Sequence, residues 1–77
     1  RNKMNIREFK KIVAEYSGFD DADEISMDMT FGDDLMLDDT TYYEMLEVLE
    51  EEFDVDIISY DGEFDSLEDL VRIIKQG

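Results

Sequence analysis

The stretch that decides the fold is residues 34–57, which read DLMLDDTTYYEMLEVLEEEFDVDI. Its middle part repeats apolar side chains at steps of three and four residues, which is typical of a helix that buries one face. We therefore predict a helix over residues 40–53, with a turn before it and a short exit after it. The apolar residues that fall within one arc of about 100° are Tyr42, Met45, Leu46, Leu49 and Phe53.

The opposite face of this helix is acidic and contains no lysine or arginine. A solvated helix usually mixes charges of both signs, because opposite charges four residues apart attract each other. Here the like charges repel, which is easier to explain if a basic partner docks on this face. A plain solvated surface is the alternative explanation. The acidic face consists of Glu44, Glu47 and Glu51, with Glu50, Tyr43 and Val48 on its margins.

A first helix is predicted over residues 6–16, with Asn5 as its N-cap and Gly18 as its left-handed end. Its buried stripe is Ile6, Phe9, Val13 and Tyr16, with Ile12 beside them. Five of the seven basic residues of the chain lie in or just before this helix. They are Arg1, Lys3, Arg7, Lys10 and Lys11. Positive charge is therefore gathered at one end of an acidic molecule.

A last helix is predicted to begin after Ser66, which would cap it together with Asp69. Its buried face is Leu67, Leu70, Val71 and Ile74. One short helical turn is expected over residues 59–63. The fold predicted for residues 1–77 is thus a single all-α domain, a bundle of three main helices and one short helix.

Residues 19–38, between the first two helices, show no helical period and form a longer connection than most. Scattered apolar side chains would anchor it across the helices. The acids at its start resemble a calcium loop, but they lack the alternating ligands, central glycine and final glutamate of an EF-hand. We therefore predict no metal site. These acids are Asp20, Asp21, Asp23 and Glu24.

Composition narrows the classes of function. The chain has 77 residues, a net charge of −16, and neither histidine nor cysteine. Such a charge repels nucleic-acid phosphates and anionic membranes and attracts basic protein surfaces, although solubility alone is an alternative reason for it. Without histidine, the chain lacks the commonest general base, so we predict that it is not an enzyme. No apolar run reaches the roughly 20 residues of a membrane span, and we expect a cytoplasmic monomer.

Four local motifs follow one another along essentially the whole chain. They are FKKIV at residues 9–13 with Gly18 behind it, Phe31 ahead of DDL at 33–35, LEEEF at 49–53 with DVDI behind it, and Ser66-Leu67. In this order and spacing they resemble the acyl carrier protein family. The resemblance implies partners that are acyl- or aminoacyl-handling enzymes, as in fatty acid or polyketide biosynthesis. It also implies that the acidic face of the second helix is the surface that these partners recognise.

The resemblance fails at the residue that carries the family's phosphopantetheine arm. The family pattern D-L-G-x-D-S-L falls on residues 34–40, where Met36 replaces the glycine, Asp39 the serine and Thr40 the leucine. Asp38 keeps the acid of the pattern. A carboxylate has no hydroxyl to accept the arm, so we expect no cofactor unless Thr40 or Thr41 carries 4'-phosphopantetheine. A shift of one residue turns a helical side chain by about 100°, away from the direction of the serine.

Asp39 itself has three interpretations at this level. Aspartate caps a helix as well as serine does, so a structural role as N-cap is the first. A fixed negative charge that imitates the phosphate of the arm is the second. The third is an engineered replacement of a native serine, but Met36 and Thr40 depart from the pattern too, which argues against it.

The sequence therefore predicts an acyl-carrier-like domain that docks on basic partner enzymes and carries nothing covalently, as a regulator or a scaffold. The docking residues would be Glu44, Glu47, Glu50 and Glu51, with Tyr43 and Val48 in apolar contact. One alternative is a working carrier modified at Thr40 or Thr41. Another is a small acidic inhibitor or nucleic-acid mimic that spreads its charge without using a specific helix face.

Overall fold

The computed structural model describes residues 4–76, and in this range the chain forms three α-helices. They are α1 (Ile6–Ser17), α2 (Asp39–Phe53) and α3 (Leu67–Gln76). No β-strand occurs among residues 4–76, where only an isolated bridge joins Thr30 to Ser66. The all-α prediction is confirmed. Arg1 and Lys3 of the basic cluster lie outside the described residues.

The ends of α1 follow from two residues. The side chain of Asn5 accepts the backbone N–H of Glu8 at 3.1 Å, which satisfies one of the free donors of the first turn. At the other end, Gly18 has a φ of 79°, a left-handed conformation that glycine adopts without strain. Both predicted caps are confirmed.

Helix α2 begins one residue earlier than predicted, at Asp39, because Asp38 is its N-cap. The carboxylate of Asp38 accepts the backbone N–H of Thr41 at 2.8 Å. The interpretation of Asp39 as the helix cap is therefore wrong, since Asp39 is already the first helical residue. Two adjacent aspartates are equally good caps by residue type, and the backbone conformation of the turn selects the first of them.

Helix α3 begins with the predicted capping box. The hydroxyl of Ser66 accepts the N–H of Asp69 at 3.3 Å, and the carboxylate of Asp69 accepts the N–H of Ser66 at 3.4 Å. The carbonyl groups of Met27 and Met29 accept two further N–H groups at this end, those of Glu68 at 2.8 Å and Leu67 at 3.0 Å. The long loop after α1 is thus tied to the start of α3.

The expected fourth helix is a single 3₁₀ turn at Ile58–Tyr60, so the range 59–63 was placed too late. Another 3₁₀ turn, at Ala22–Glu24, lies in the long loop and is capped by Asp21, whose carboxylate accepts the N–H of Asp23 at 2.9 Å. The acids at the start of the loop therefore form a capped turn.

One cluster of buried apolar side chains joins the three helices and the loops. All four apolar residues predicted for the buried face of α3 are buried, and so are four of the five predicted for α2; Tyr42 is half-buried. From the loops, Ile25, Leu35, Ile57 and Phe64 complete the core. Removing this apolar surface from water is what holds the helices together against the repulsion of a net charge of −16.

Candidate functional site

The start of α2 is where the resemblance places the missing serine. Asp38, Asp39 and Thr40 are all exposed, and Thr41 is half-buried. The backbone N–H of Thr41, and after it the Thr41 side chain, holds the pKa of Asp38 below its ordinary value by hydrogen bonding to the ionised carboxylate. Because Asp38 provides the cap, Asp39 is an exposed side chain that the cap does not use. This position presents a carboxylate where the family pattern has a hydroxyl.

The acidic face of α2 is exposed at its centre. Glu44, Glu47 and Glu51 are exposed, and Val48 is half-buried between the acids. A shallow open groove runs along the last two turns of the helix and ends beyond it. Its lining residues are Glu47, Val48, Glu50, Glu51 and Asp54. Four of the six predicted docking residues therefore line one groove, whereas Glu44 and Tyr43 lie nearer the start of the helix.

Glu50 differs from the other acids of this face, because its carboxylate is turned toward the chain that follows α2. One of its oxygens accepts the backbone N–H of Ile57 at 2.7 Å and that of Ile58 at 2.8 Å. These two donors stand at the start of the 3₁₀ turn at Ile58–Tyr60, whose N-cap residue, Ile57, makes no side-chain cap bond; Asp56 accepts the N–H of Ser59 at 3.4 Å. Glu50 thus caps this turn from α2, a role that its place in the sequence did not predict.

The hydroxyl of Tyr43 is hydrogen-bonded to Asp61, a contact that the sequence also did not predict. The carboxylate of Asp61 accepts the hydroxyl of Tyr42 at 3.1 Å with one oxygen and the hydroxyl of Tyr43 with the other. Burial, and then the hydrogen bond to Asp61, raises the pKa of Tyr42. The same hydrogen bond, followed by burial, raises the pKa of Tyr43. Asp61 thus ties the first half of α2 to the segment ahead of α3.

Tyr42 and Asp61 line a second surface cavity, of about 330 Å³, between the long loop and the segment before α3. Three aromatic rings meet there edge to face, with Phe31 at 5.5 Å from Tyr42 and 5.7 Å from Phe64 between ring centroids. No group of three or more potential metal ligands occurs among residues 4–76. No helix in the described part of the chain is long and apolar enough to cross a membrane.

Sequence comparison with known proteins identifies the family to which this helical bundle belongs. No protein-family model matches the chain. The acyl carrier protein of Clostridium acetobutylicum is 38% identical to it over 73 residues, which make up 94% of this chain and 94% of that protein. Because carrier proteins are not themselves enzymes, this relative confirms the prediction that the chain is not an enzyme. By this identity and coverage, the chain belongs to the acyl carrier protein family.

Proposed function

We propose that this domain docks on enzymes that handle acyl or aminoacyl groups without carrying such a group itself. The observation that carries the proposal is Asp39, an exposed carboxylate at the first position of α2, where the family pattern has the serine that bears the arm. The acyl carrier protein from Clostridium acetobutylicum supports the choice of partner class. The domain would act as a regulator or scaffold of such enzymes.

The two threonines that follow are poor substitutes for that serine. Thr41 is half-buried, and its backbone N–H is held by Asp38. Thr40 is exposed, but on a helix its side chain points about 100° away from that of residue 39. Incubation of the chain with coenzyme A and a phosphopantetheinyl transferase should therefore give no mass gain. A gain mapped to either threonine would overturn the non-carrier proposal.

The docking surface would be the acidic face of α2. Glu44, Glu47 and Glu51 are exposed and supply the charge that attracts a basic enzyme surface, while Val48 supplies apolar contact in the groove. Tyr43, 39% exposed, would add an apolar contact nearer the start of the helix. Glu50 is committed to the backbone of the next turn, so it would contribute its charge but not a mobile side chain.

Charge reversal tests this surface on a chain that the transferase can use, namely the variant Asp39→Ser. We expect E47K/E51K in that background to raise the KM for the transferase by about tenfold or more, because reversal replaces attraction by repulsion. The matched control is D20K/E24K, which changes the net charge equally at two exposed positions of the long loop. Asp21 is left intact because it caps a turn.

The control distinguishes docking on the acidic face of α2 from attraction by the overall negative charge of the chain. If D20K/E24K raises KM as much as E47K/E51K does, the protein acts through its overall charge, as an acidic mimic would, and the docking surface is wrong. The expected monomeric state and cytoplasmic location remain predictions.

A further inference from the structure

Met36 combines two features that do not help the chain to fold. Met36 is 80% exposed, which makes it the most exposed of the large apolar residues among residues 4–76. Its backbone has a φ of 56°, in the left-handed region where a Cβ atom is strained and where glycine or asparagine fits better. The family pattern has glycine at this position, which would avoid both costs.

The conformation of Met36 is imposed by its neighbours. Leu35 is buried in the core, and Leu37 is half-buried against it. The N–H of Leu35 binds the carbonyl of Thr30 at 3.1 Å, and that of Leu37 binds the carbonyl of Phe31 at 3.3 Å. With both flanking leucines packed inward, the turn fixes the backbone of Met36 and leaves its side chain in water.

The surroundings of Met36 indicate what it would contact. The exposed carboxylates of Asp38 and Asp39 follow it in the chain. Of the four exposed large apolar side chains among residues 4–76, Met36 precedes α2 by three residues and Tyr43 lies in its first half, whereas Ile6 is in α1 and Tyr60 follows α2. Two of the four therefore belong to the start of α2, the part of the chain that also holds the exposed acids Asp38 and Asp39. A partner that complements it has an apolar recess with lysine or arginine at its rim.

We propose that Met36 is an apolar anchor, inserted into such a recess on the enzyme that docks on α2. This inference rests on the proposed function and adds a contact outside the acidic face. Methionine suits the role because it is unbranched and polarisable and adapts to the shape of an apolar recess. Because the turn already fixes the backbone of Met36, only its side chain has to be ordered when the complex forms.

The test uses three substitutions in the Asp39→Ser background, with a phosphopantetheinyl transferase as the probe. M36G and M36N remove the apolar side chain and suit the left-handed backbone, so both variants should melt no lower than the parent. We expect each to raise KM about tenfold, the usual effect of losing one buried apolar side chain, with kcat unchanged. M36L keeps an apolar side chain on the strained backbone and should hold KM within about threefold of the parent.

The outcomes separate this inference from the proposed function. If M36G and M36N leave KM unchanged while E47K/E51K raises it, Met36 is not an anchor, but docking through α2 stands. If E47K/E51K leaves KM unchanged as well, both proposals fall. Sedimentation of the parent and M36G over a range of concentrations tests another occupant: dimerisation that M36G abolishes would assign Met36 to a second copy of the chain and overturn the inference.

Discussion

At the start of α2 and in its last two turns, one acid binds backbone N–H groups and the acid that follows it in the chain is exposed. Asp38 binds an N–H of its own helix, whereas Glu50 binds two N–H groups of the turn that follows. Their neighbours Asp39 and Glu51 are exposed. At both ends, the acid that binds backbone N–H groups is followed by an exposed acid, and this second acid is the one that we propose a partner contacts. Residue 39, where the family has its serine, is an exposed position of this type, so the fold tolerates an aspartate there.

The largest difference in stability between substitutions of two neighbouring acids is expected at the end of α2. Glu50→Ala leaves two partly buried N–H groups without their carboxylate, which should lower the free energy of unfolding by about 2 kcal/mol or more. Glu51→Ala, the matched control, should change it by less than about 0.5 kcal/mol. Urea denaturation measures both. Equal losses in the two variants would show that Glu50 does not cap the turn at Ile58–Tyr60.

A smaller difference is expected at the start of α2. Asp38→Ala removes the cap and should lower Tm by about 5 °C at pH 7, whereas Asp39→Ala should change it by less than about 2 °C. The stabilisation that Asp38 provides depends on pH, and the pKa of Asp38 fixes its direction. Folding lowers the pKa of Asp38 from 3.8, so its ionised form stabilises the fold above about pH 4.

That stabilisation is lost as the pH falls through the folded-state pKa. The melting temperatures of the parent and Asp38→Ala should therefore converge in acid. Melting curves at a series of pH values check this, and a gap that persists at pH 2 would mean that the cap does not depend on the charge of Asp38.

The smallest effect concerns the adjacent tyrosines. Tyr42→Phe removes a hydroxyl bound to Asp61 and should cost at most about 1 kcal/mol at neutral pH. Because folding raises the pKa of Tyr42, its neutral form stabilises the fold below about pH 10, and this contribution is lost as the pH rises further. Denaturation at pH 8 and pH 11 should show a smaller alkaline loss in Tyr42→Phe than in the parent. An equal loss would contradict the role of the bond to Asp61.

The sequence was sufficient for the parts of the fold that depend on near neighbours. The caps Asn5, Gly18 and Ser66 are recognisable because each acts within three or four residues. For the same reason, the apolar stripes of α2 and α3 predicted all eight buried residues of these two helices. The choice of Asp39 over Asp38 as cap was wrong because both positions carry aspartate, and Ile6, which was predicted to be buried, is 37% exposed.

The contacts that shape the candidate site could not be predicted in this way. Glu50 reaches N–H groups seven and eight residues away, and Asp61 meets tyrosines 18 and 19 residues away. Such pairs depend on how the segment after α2 folds back on the helix, which helical periodicity does not encode. Met36 could be read from the sequence as a departure from glycine, but its exposure and its left-handed backbone could not.

One measurement tests most directly whether a recognition surface persists without its attachment residue. The parent chain and Asp39→Ser are incubated with coenzyme A and a phosphopantetheinyl transferase, beside a serine-bearing acyl carrier protein as positive control, and intact masses are recorded. We predict no gain for the parent and a gain of one phosphopantetheinyl group, mapped to residue 39, for the variant. An unmodified variant beside a modified control, or a parent modified at Thr40 or Thr41, would contradict the account.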